Sequence, residues 1–236
     1  MYAFWLPYSS DTEFQNEKHL DLAIFTMDHV LALTPDGDAS QASYYFQLGA
    51  LLVPLRNFDP ISSDFDRTMI TFECSVAITL DSGAAKSDCL IQLGDMFWLR
   101  FGHTSCLTDI GRALWAQNDA VCLTPESNAN KPDRLDKLAH LFLFDALNIQ
   151  EKLVDINNAI PAQGDAARLT PYGNANRAPH LHKLGVFLMH RFGFRDELVD
   201  INKANSAFKN GLYVFALWRA RLTNARPNPI EVYEIP

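Results

Sequence analysis

The 236-residue sequence predicts an all-α fold, an α-solenoid of stacked antiparallel helix pairs, on three observations. Leu48-Gly49, Leu93-Gly94, Leu138-Ala139 and Leu184-Gly185 recur at spacings of 45, 45 and 46 residues. A second landmark keeps the same phase: Leu33-Thr34-Pro35, Leu123-Thr124-Pro125 and Leu169-Thr170-Pro171, with Ile78-Thr79-Leu80 in the gap. The run Leu153-Val154-Asp155-Ile156-Asn157 returns as Leu198-Val199-Asp200-Ile201-Asn202. Self-similarity at such a period marks units that bury their hydrophobic faces on one another.

Each unit holds two helical patterns. The first is Tyr45, Leu48, Gly49, Leu52, repeated as Leu90, Leu93, Gly94, Phe97, as Leu135, Leu138, Ala139, Phe142 and as Leu181, Leu184, Gly185, Leu188. Offsets of three, four and seven lie on one helical face, and a glycine or alanine at one phase predicts close backbone approach there. The second pattern leads into the Leu-Thr-Pro landmark: Ala23, Met27, Val30, Pro35; Thr68, Phe72, Ser75, Leu80; Ala113, Gln117, Ala120, Pro125; Ala159, Gln163, Ala166, Pro171. Proline has no amide to continue a helix and ends it.

In chain order this predicts an N-terminal extension or cap over 1–16, with Phe4 and Trp5 the candidates to cover an open face, then an orphan second helix over 17–33. Four pairs follow over about 41–79, 85–122, 131–168 and 177–215, boundaries being the softest part of such a reading. The last helix continues through Trp218 to Thr223, so one repeat domain covers 17–223. Pro54 shortens its helix, whereas Pro132 and Pro179 suit first turns. Residues 224–236 form a proline-rich tail whose Ile230-Glu231-Val232-Tyr233-Glu234-Ile235 segment is suited to fold back as a cap.

The two patterns resemble the tetratricopeptide repeat, whose helices read W-x2-L-G-x2-Y and A-x3-F-x2-A-x4-P. Tyr45, Leu90, Leu135 and Leu181 stand at the tryptophan position, and Ala23, Ala113 and Ala159 each precede a proline by 12 residues. Longer connections between helices take the family's period of 34 to about 45, and surface insertions of that size cost little. The sequence is similar to the long-period arrays of fungal proteins, some of which carry a caspase-like CHAT protease domain. The resemblance implies a right-handed superhelix whose first helices line a concave groove.

Composition narrows the function. A hydrophobic fraction of 48% with 20% charged residues belongs to a folded globular chain. A formal charge of -8 without any basic run argues against nucleic acid. No apolar stretch reaches the length of a membrane span and no leader pattern is present, so the expected location is the cytoplasm. Cys74, Cys89, Cys106 and Cys122 fall at unrelated phases without C-x-x-C spacing and read as reduced core residues.

No chemistry emerges from the motifs. His180 and His182 lie two apart on a helix and point to different faces, and there is no H-E-x-x-H, so no metal or other cofactor is expected. Cys106 and His103 are placed in a loop without an oxyanion hole. Phosphate-cradling glycine loops and the G-x-S-x-G elbow are absent from the sequence, so no catalytic residue is assigned.

The resemblance places Phe46, Ile91, Asp95, Trp98, Asp136, His140, Phe144, His182, Met189 and His190 on the groove wall, with Trp98 and Phe144 as natural anchors for a partner. Lys and Asn, which clamp a carboxylate tail in some family members, are missing from those positions; Lys137 and Lys183 fall one residue further round, on the rim. The expected function is a non-enzymatic scaffold that holds a peptide or helix of another protein. Two other readings accompany it: a regulatory repeat arm or fragment of a larger enzyme such as a CHAT protease, and self-association through exposed repeat ends.

Overall fold

The computed structural model describes residues 10–53, 63–79, 83–148 and 152–223, and every regular element among them is an α-helix. In order these are α1 (Ser10–Leu33), α2 (Gln41–Leu52), α3 (Ser63–Ile78), α4 (Ala84–Thr104), α5 (Leu107–Leu123), α6 (Lys131–Asn148), α7 (Lys152–Leu169), α8 (Arg177–Arg195) and α9 (Leu198–Thr223). The fold is an all-α helical repeat, an orphan second helix followed by four pairs. Helix α1 begins at Ser10, inside the stretch assigned from sequence to the extension over 1–16. The cap expected at Phe4 and Trp5, the proline at Pro54 and the tail over 224–236 lie outside the described residues. Pro161, which the sequence pattern did not single out, sits within α7.

The chain divides into two compact units, Met1–Ala116 and Gln117–Pro236, with the division inside α5. In a repeat array each element packs only on its neighbours, so no common core ties the whole chain together.

The Leu-Thr-Pro landmark is a helix stop built from three hydrogen bonds. Thr34, Thr124 and Thr170 donate their hydroxyls to the carbonyls four residues back, at 2.6, 2.7 and 2.7 Å. The proline then ends the ladder, and its carbonyl accepts from the N–H of Asp38, Asn128 or Asn174 at 3.1, 3.0 and 3.1 Å. Those side chains in turn accept from the backbone N–H of Ser40, Asn130 and Asn176 at 2.8, 2.9 and 2.9 Å. Such Asx turns direct the chain into the next helix. Gly37 and Gly173 supply the left-handed φ of 85° and 92° that their version of the turn requires.

Packing follows the small-residue phase. Gly49, Gly94, Ala139 and Gly185 are all buried. An ideal Cβ on Gly49 would lie 2.7 Å from the Phe72 ring, and one on Gly185 would lie 2.5 Å from the Phe208 ring. Where the residue at the matching phase of the second helix is the slimmer Gln163, the first helix carries Ala139 instead. The second helices present an equally tight row: Thr68, Phe72, Ser75, Ala113, Ala120, Ala159, Gln163, Ala166 and Ala204 are each completely buried. Ser75 joins three helices, donating its hydroxyl to the Ala42 carbonyl at 2.8 Å and lying 3.0 Å from the Cys89 sulfur. Burial raises the Cys89 thiol above its ordinary value. Cys106 and Cys122, however, are exposed, which corrects their reading as core residues.

Each second helix after α1 has an aspartate in its first turn, Asp64, Asp109, Asp155 or Asp200, where the helix dipole favours negative charge. Two of these are clamped by arginines. Arg100 holds Asp109 through two hydrogen bonds of 2.9 and 2.6 Å, and Arg191 holds Asp200 at the same two distances. The preceding helices in these two hairpins, α4 and α8, end on Ser105 and Asp196, each with φ of 55° and its N–H bonded four residues back. At the arginine phase in the intervening hairpin stands Asp145, facing Asp155. Its carboxyl is pushed up to about 6 by burial first, then by the charge of Asp155 and the hydrogen bond they share.

Two outcomes follow from this packing. Gly49→Ala costs about 1–3 kcal/mol, as overpacking usually does, because Phe72 is completely buried and has nowhere to go. Gly185→Ala costs less, because Phe208 is only half-buried and can swing aside; chemical denaturation of the two variants checks the order. The folded Asp145 and Asp155 pair retains a proton that the unfolded chain releases near its ordinary value of 3.8. Its contribution to stability is therefore present in acid and lost as pH rises through about 6. Asp145→Arg restores the clamp and raises Tm at pH 7.5 by about 4 °C or more, with a smaller gain at pH 4.5, read by scanning calorimetry at both values.

Candidate functional site

The positions read from sequence as a groove wall divide between the two units. In the first, α2 and α4 supply four of them. Phe46 is half-buried, its ring 5.9 Å from that of Phe72. Ile91 is buried. Asp95 is half-buried. Trp98 is 37% exposed, with its indole 5.8 Å from the Phe101 ring.

In the second unit Asp136 is the centre of a buried polar cluster that ties α6, α7 and α8 together. It accepts from Lys183 Nζ at 2.6 Å, from His180 Nδ1 at 3.0 Å and from Gln163 Nε2 at 3.0 Å. Gln163 also donates to the His180 carbonyl at 3.2 Å, and His180 is 3% exposed. Desolvation alone would raise the Asp136 carboxyl; the hydrogen bonds from His180, Lys183 and Gln163 and the charge of Lys183 outweigh it and hold the group well below the ordinary range. Asp136 is thus engaged within the fold, and Lys183 is its partner in place of a rim charge.

The remaining wall residues stay accessible in part. His140 is exposed at one edge, and its ring meets Phe187 edge-on at 5.7 Å. Its pKa is lowered by desolvation first and then by the charge of Lys183, so the imidazole is neutral at pH 7. Phe144 and His190 are half-buried, while Met189 is 42% exposed. His182 is exposed and lies over Phe208 at 5.3 Å, whereas His180 two residues earlier is buried, as two faces of one helix require.

Two apolar recesses were not read from the sequence. One, of about 410 Å³, is bounded by Val76, Ala77, Leu93, Phe97 and Trp115, with Glu73 and Arg112 at its edge. The Arg112 guanidinium lies 5.5 Å from the Phe97 ring centre, and Trp115 is 50% exposed. The other, of about 610 Å³, lies on α8 and α9 between Pro179, His182, Phe208, Leu212 and Phe215. Its signal was available: Ala204, Phe208 and Gly211 repeat the spacing of the second-helix pattern, but without the closing proline that identified the others. Of the two residues read from sequence as lying in the loop, His103 is in the last turn of α4, and the Cys106 sulfur lies 3.1 Å from the Thr108 hydroxyl. Among the described residues no group of three His, Cys, Asp or Glu side chains is placed to hold a metal ion, and no helix is long and apolar enough to cross a membrane.

No family model matches the sequence, and no curated protein matches it. Solved structures share the fold, among them the following two. The crystal structure of BtubC (BKLC) from P. vanneervenii has a TM-score of 0.60, covering 94% of this chain and 82% of that one at 15% sequence identity. The crystal structure of MamA protein has a TM-score of 0.57, covering 95% and 93% at 14% identity. At such identities the likeness is one of fold, and it is the fold of a helical repeat.

The polar cluster yields a pH-dependent expectation. Asp136→Ala leaves His180 and Gln163 buried without their acceptor and costs roughly 1.5–3 kcal/mol at pH 7. Because the folded carboxyl is held below its ordinary value of 3.8, the stability it confers is present above that value and is lost as pH falls below it. Urea unfolding of the parent and the variant therefore gives a large difference at pH 7 that narrows as the solution is taken below pH 3.8.

Proposed function

We propose that the chain is a non-enzymatic protein-interaction scaffold, a long-period variant of the tetratricopeptide repeat that holds a peptide or helix of another protein against its first helices. The observation that carries this reading is the contrast between two phases of the same helices. At the glycine and alanine phase every copy is buried, yet four residues further on, where Val53 is half-buried and Leu143 buried, Trp98 and Met189 both keep more than a third of their surface in solvent. A large aromatic or thioether side chain left exposed at a recurring phase is the usual anchor for a partner's apolar face.

Within each unit the neighbours suit that role. Phe101 backs Trp98, and His190 lies beside Met189 in sequence, so a partner would meet apolar surface interrupted by few polar groups. Lys and Asn are absent from the positions that would clamp a terminal carboxylate, which favours an internal segment over a chain end.

Affinity purification with the full chain as bait tests the proposal. Trp98→Ala combined with Met189→Ala should reduce recovery of the partner at least about tenfold, a change of 1.4 kcal/mol or more, with the helical circular-dichroism signal unchanged. Undiminished recovery would overturn it.

A further inference from the structure

The apolar groove on α8 and α9 is a surface of the kind that a further helix covers elsewhere in the chain. On α7, Gln163, Ala167 and Thr170 are buried, and α8 packs there, with the His180 carbonyl accepting from Gln163 at 3.2 Å. Forty-five residues on from these three stand Phe208, Leu212 and Phe215, with Leu212 67% exposed. We propose that the occupant of this groove is helix α1 of a second copy of the chain, in a head-to-tail contact.

Helix α1 carries a surface that is open in the same sense. Its Leu20, Ile24, Met27 and Leu31 pack with Leu48 and Leu52 of α2. Leu22, Phe25, Thr26, His29 and Leu33 are all exposed and, at offsets of three, four, seven and eleven, lie along one side of the helix. In α3 the matching Thr71 and Phe72 are buried, yet forty-five residues earlier Thr26 is exposed and Met27 half-buried. The polar members of the stripe are bonded to their own helix. Thr26 donates to the Leu22 carbonyl at 2.7 Å, and His29 Nδ1 lies 3.0 Å from the Phe25 carbonyl with its ring 4.1 Å from the Phe25 ring. Such a stripe can lie on a groove that offers no hydrogen bonds without leaving those groups unpaired.

Charge singles out this helix. Residues 19–53 carry four aspartates and no Lys or Arg, whereas residues 201–223 carry Lys203, Lys209, Arg219 and Arg221 and no Asp or Glu. Asp21 is exposed beside Leu22, and Asp28, two turns on, also bonds Arg67 of its own unit. Lys209 follows Phe208, and Arg219 continues the Phe208, Leu212, Phe215 row by one turn. Opposite potentials on two surfaces steer their encounter and fix its direction. The lengths agree as well: Leu22 to Leu33 and Phe208 to Arg219 each advance roughly 16 Å along a helix. A contact between two different surfaces leaves one of each open, so it extends beyond a pair.

Sedimentation of the full chain tests the inference. The average mass should rise with concentration past twice the 26.6 kDa of one chain. Leu22→Glu with Phe25→Glu blocks one surface, and Leu212→Glu with Phe215→Glu blocks the other. Each variant alone should sediment as a monomer with its helical circular-dichroism signal unchanged, since all four side chains are exposed. Mixed in equal amounts, the two should form a one-to-one dimer and nothing larger, because each retains the surface that the other lacks. In the unaltered chain the association constant should fall at least about tenfold between about 50 and about 500 mM salt, as exposed charges are screened. A chain that stays monomeric at every concentration would assign the groove to a different protein and overturn the proposal. Blocked variants that still associate, a mixture that stays monomeric, or association indifferent to salt would do the same. The Trp98 and Met189 test stands apart from these outcomes, because the variants alter neither residue.

Discussion

The rest of the structure depends on how closely the first helix of each pair can approach its second. That distance is set at one phase, by Gly49, Gly94, Ala139 and Gly185, all of them buried. Glycine faces the phenyl rings of Phe72 and Phe208, where even a methyl group would lie within 2.7 Å. Alanine stands where the matching side chain is Gln163. With that spacing fixed, the remaining contacts acquire their register: the Ser75 hydroxyl reaches Ala42 and Cys89, and Arg100 and Arg191 reach the first turn of the following helix.

This explains how much was legible in the sequence. Features that recur were readable, because repetition distinguishes a structural requirement from an accident. The Leu-Thr-Pro landmark proved to be a helix stop and turn with the same hydrogen bonds in three copies, and the starts of α2, α6 and α8 fell where the phase put them. Features that occur once were not readable. Nothing marks Asp136 as the centre of a buried cluster when it is considered alone, since its partners lie 27, 44 and 47 residues away. The resemblance put Asp136 and Ile91 on the concave wall, and a helical wheel assigns faces without saying which neighbour covers each; in the structure Asp136 is bonded within its unit and Ile91 is buried. Pro161 within α7 and the early start of α1 are single events of the same kind.

The differences between repeats are as informative as their likeness. Hairpin α4 to α5 and hairpin α8 to α9 are each closed by an arginine on an aspartate and by a left-handed residue at the end of the first helix. Hairpin α6 to α7 has lost that clamp, and two carboxylates meet in its place. Its other end is where the Asp136 cluster gathers α6, α7 and α8. The third pair is thus tied to its successor by a charged cluster and carries two carboxylates where its neighbours carry a clamp. In a repeat array, where each unit's stability is largely its own plus that of its two interfaces, such a shift sets the order in which local opening occurs.

The same logic separates surfaces that serve the fold from surfaces that do not. Gln163, Asp136 and His180 are polar because another helix covers them and they bond to one another, although Gln163 Oε1 and His180 Nε2 stay buried without a hydrogen bond. Phe208, Leu212 and Phe215 hold the corresponding phase with no hydrogen-bonding capacity, so they can be covered only by apolar groups. A polar cover would lose its bonds to water and gain none in exchange, a loss of about 1–3 kcal/mol for each group left unpaired. The identity of the side chains at one phase therefore dictates the chemistry of whatever lies over it.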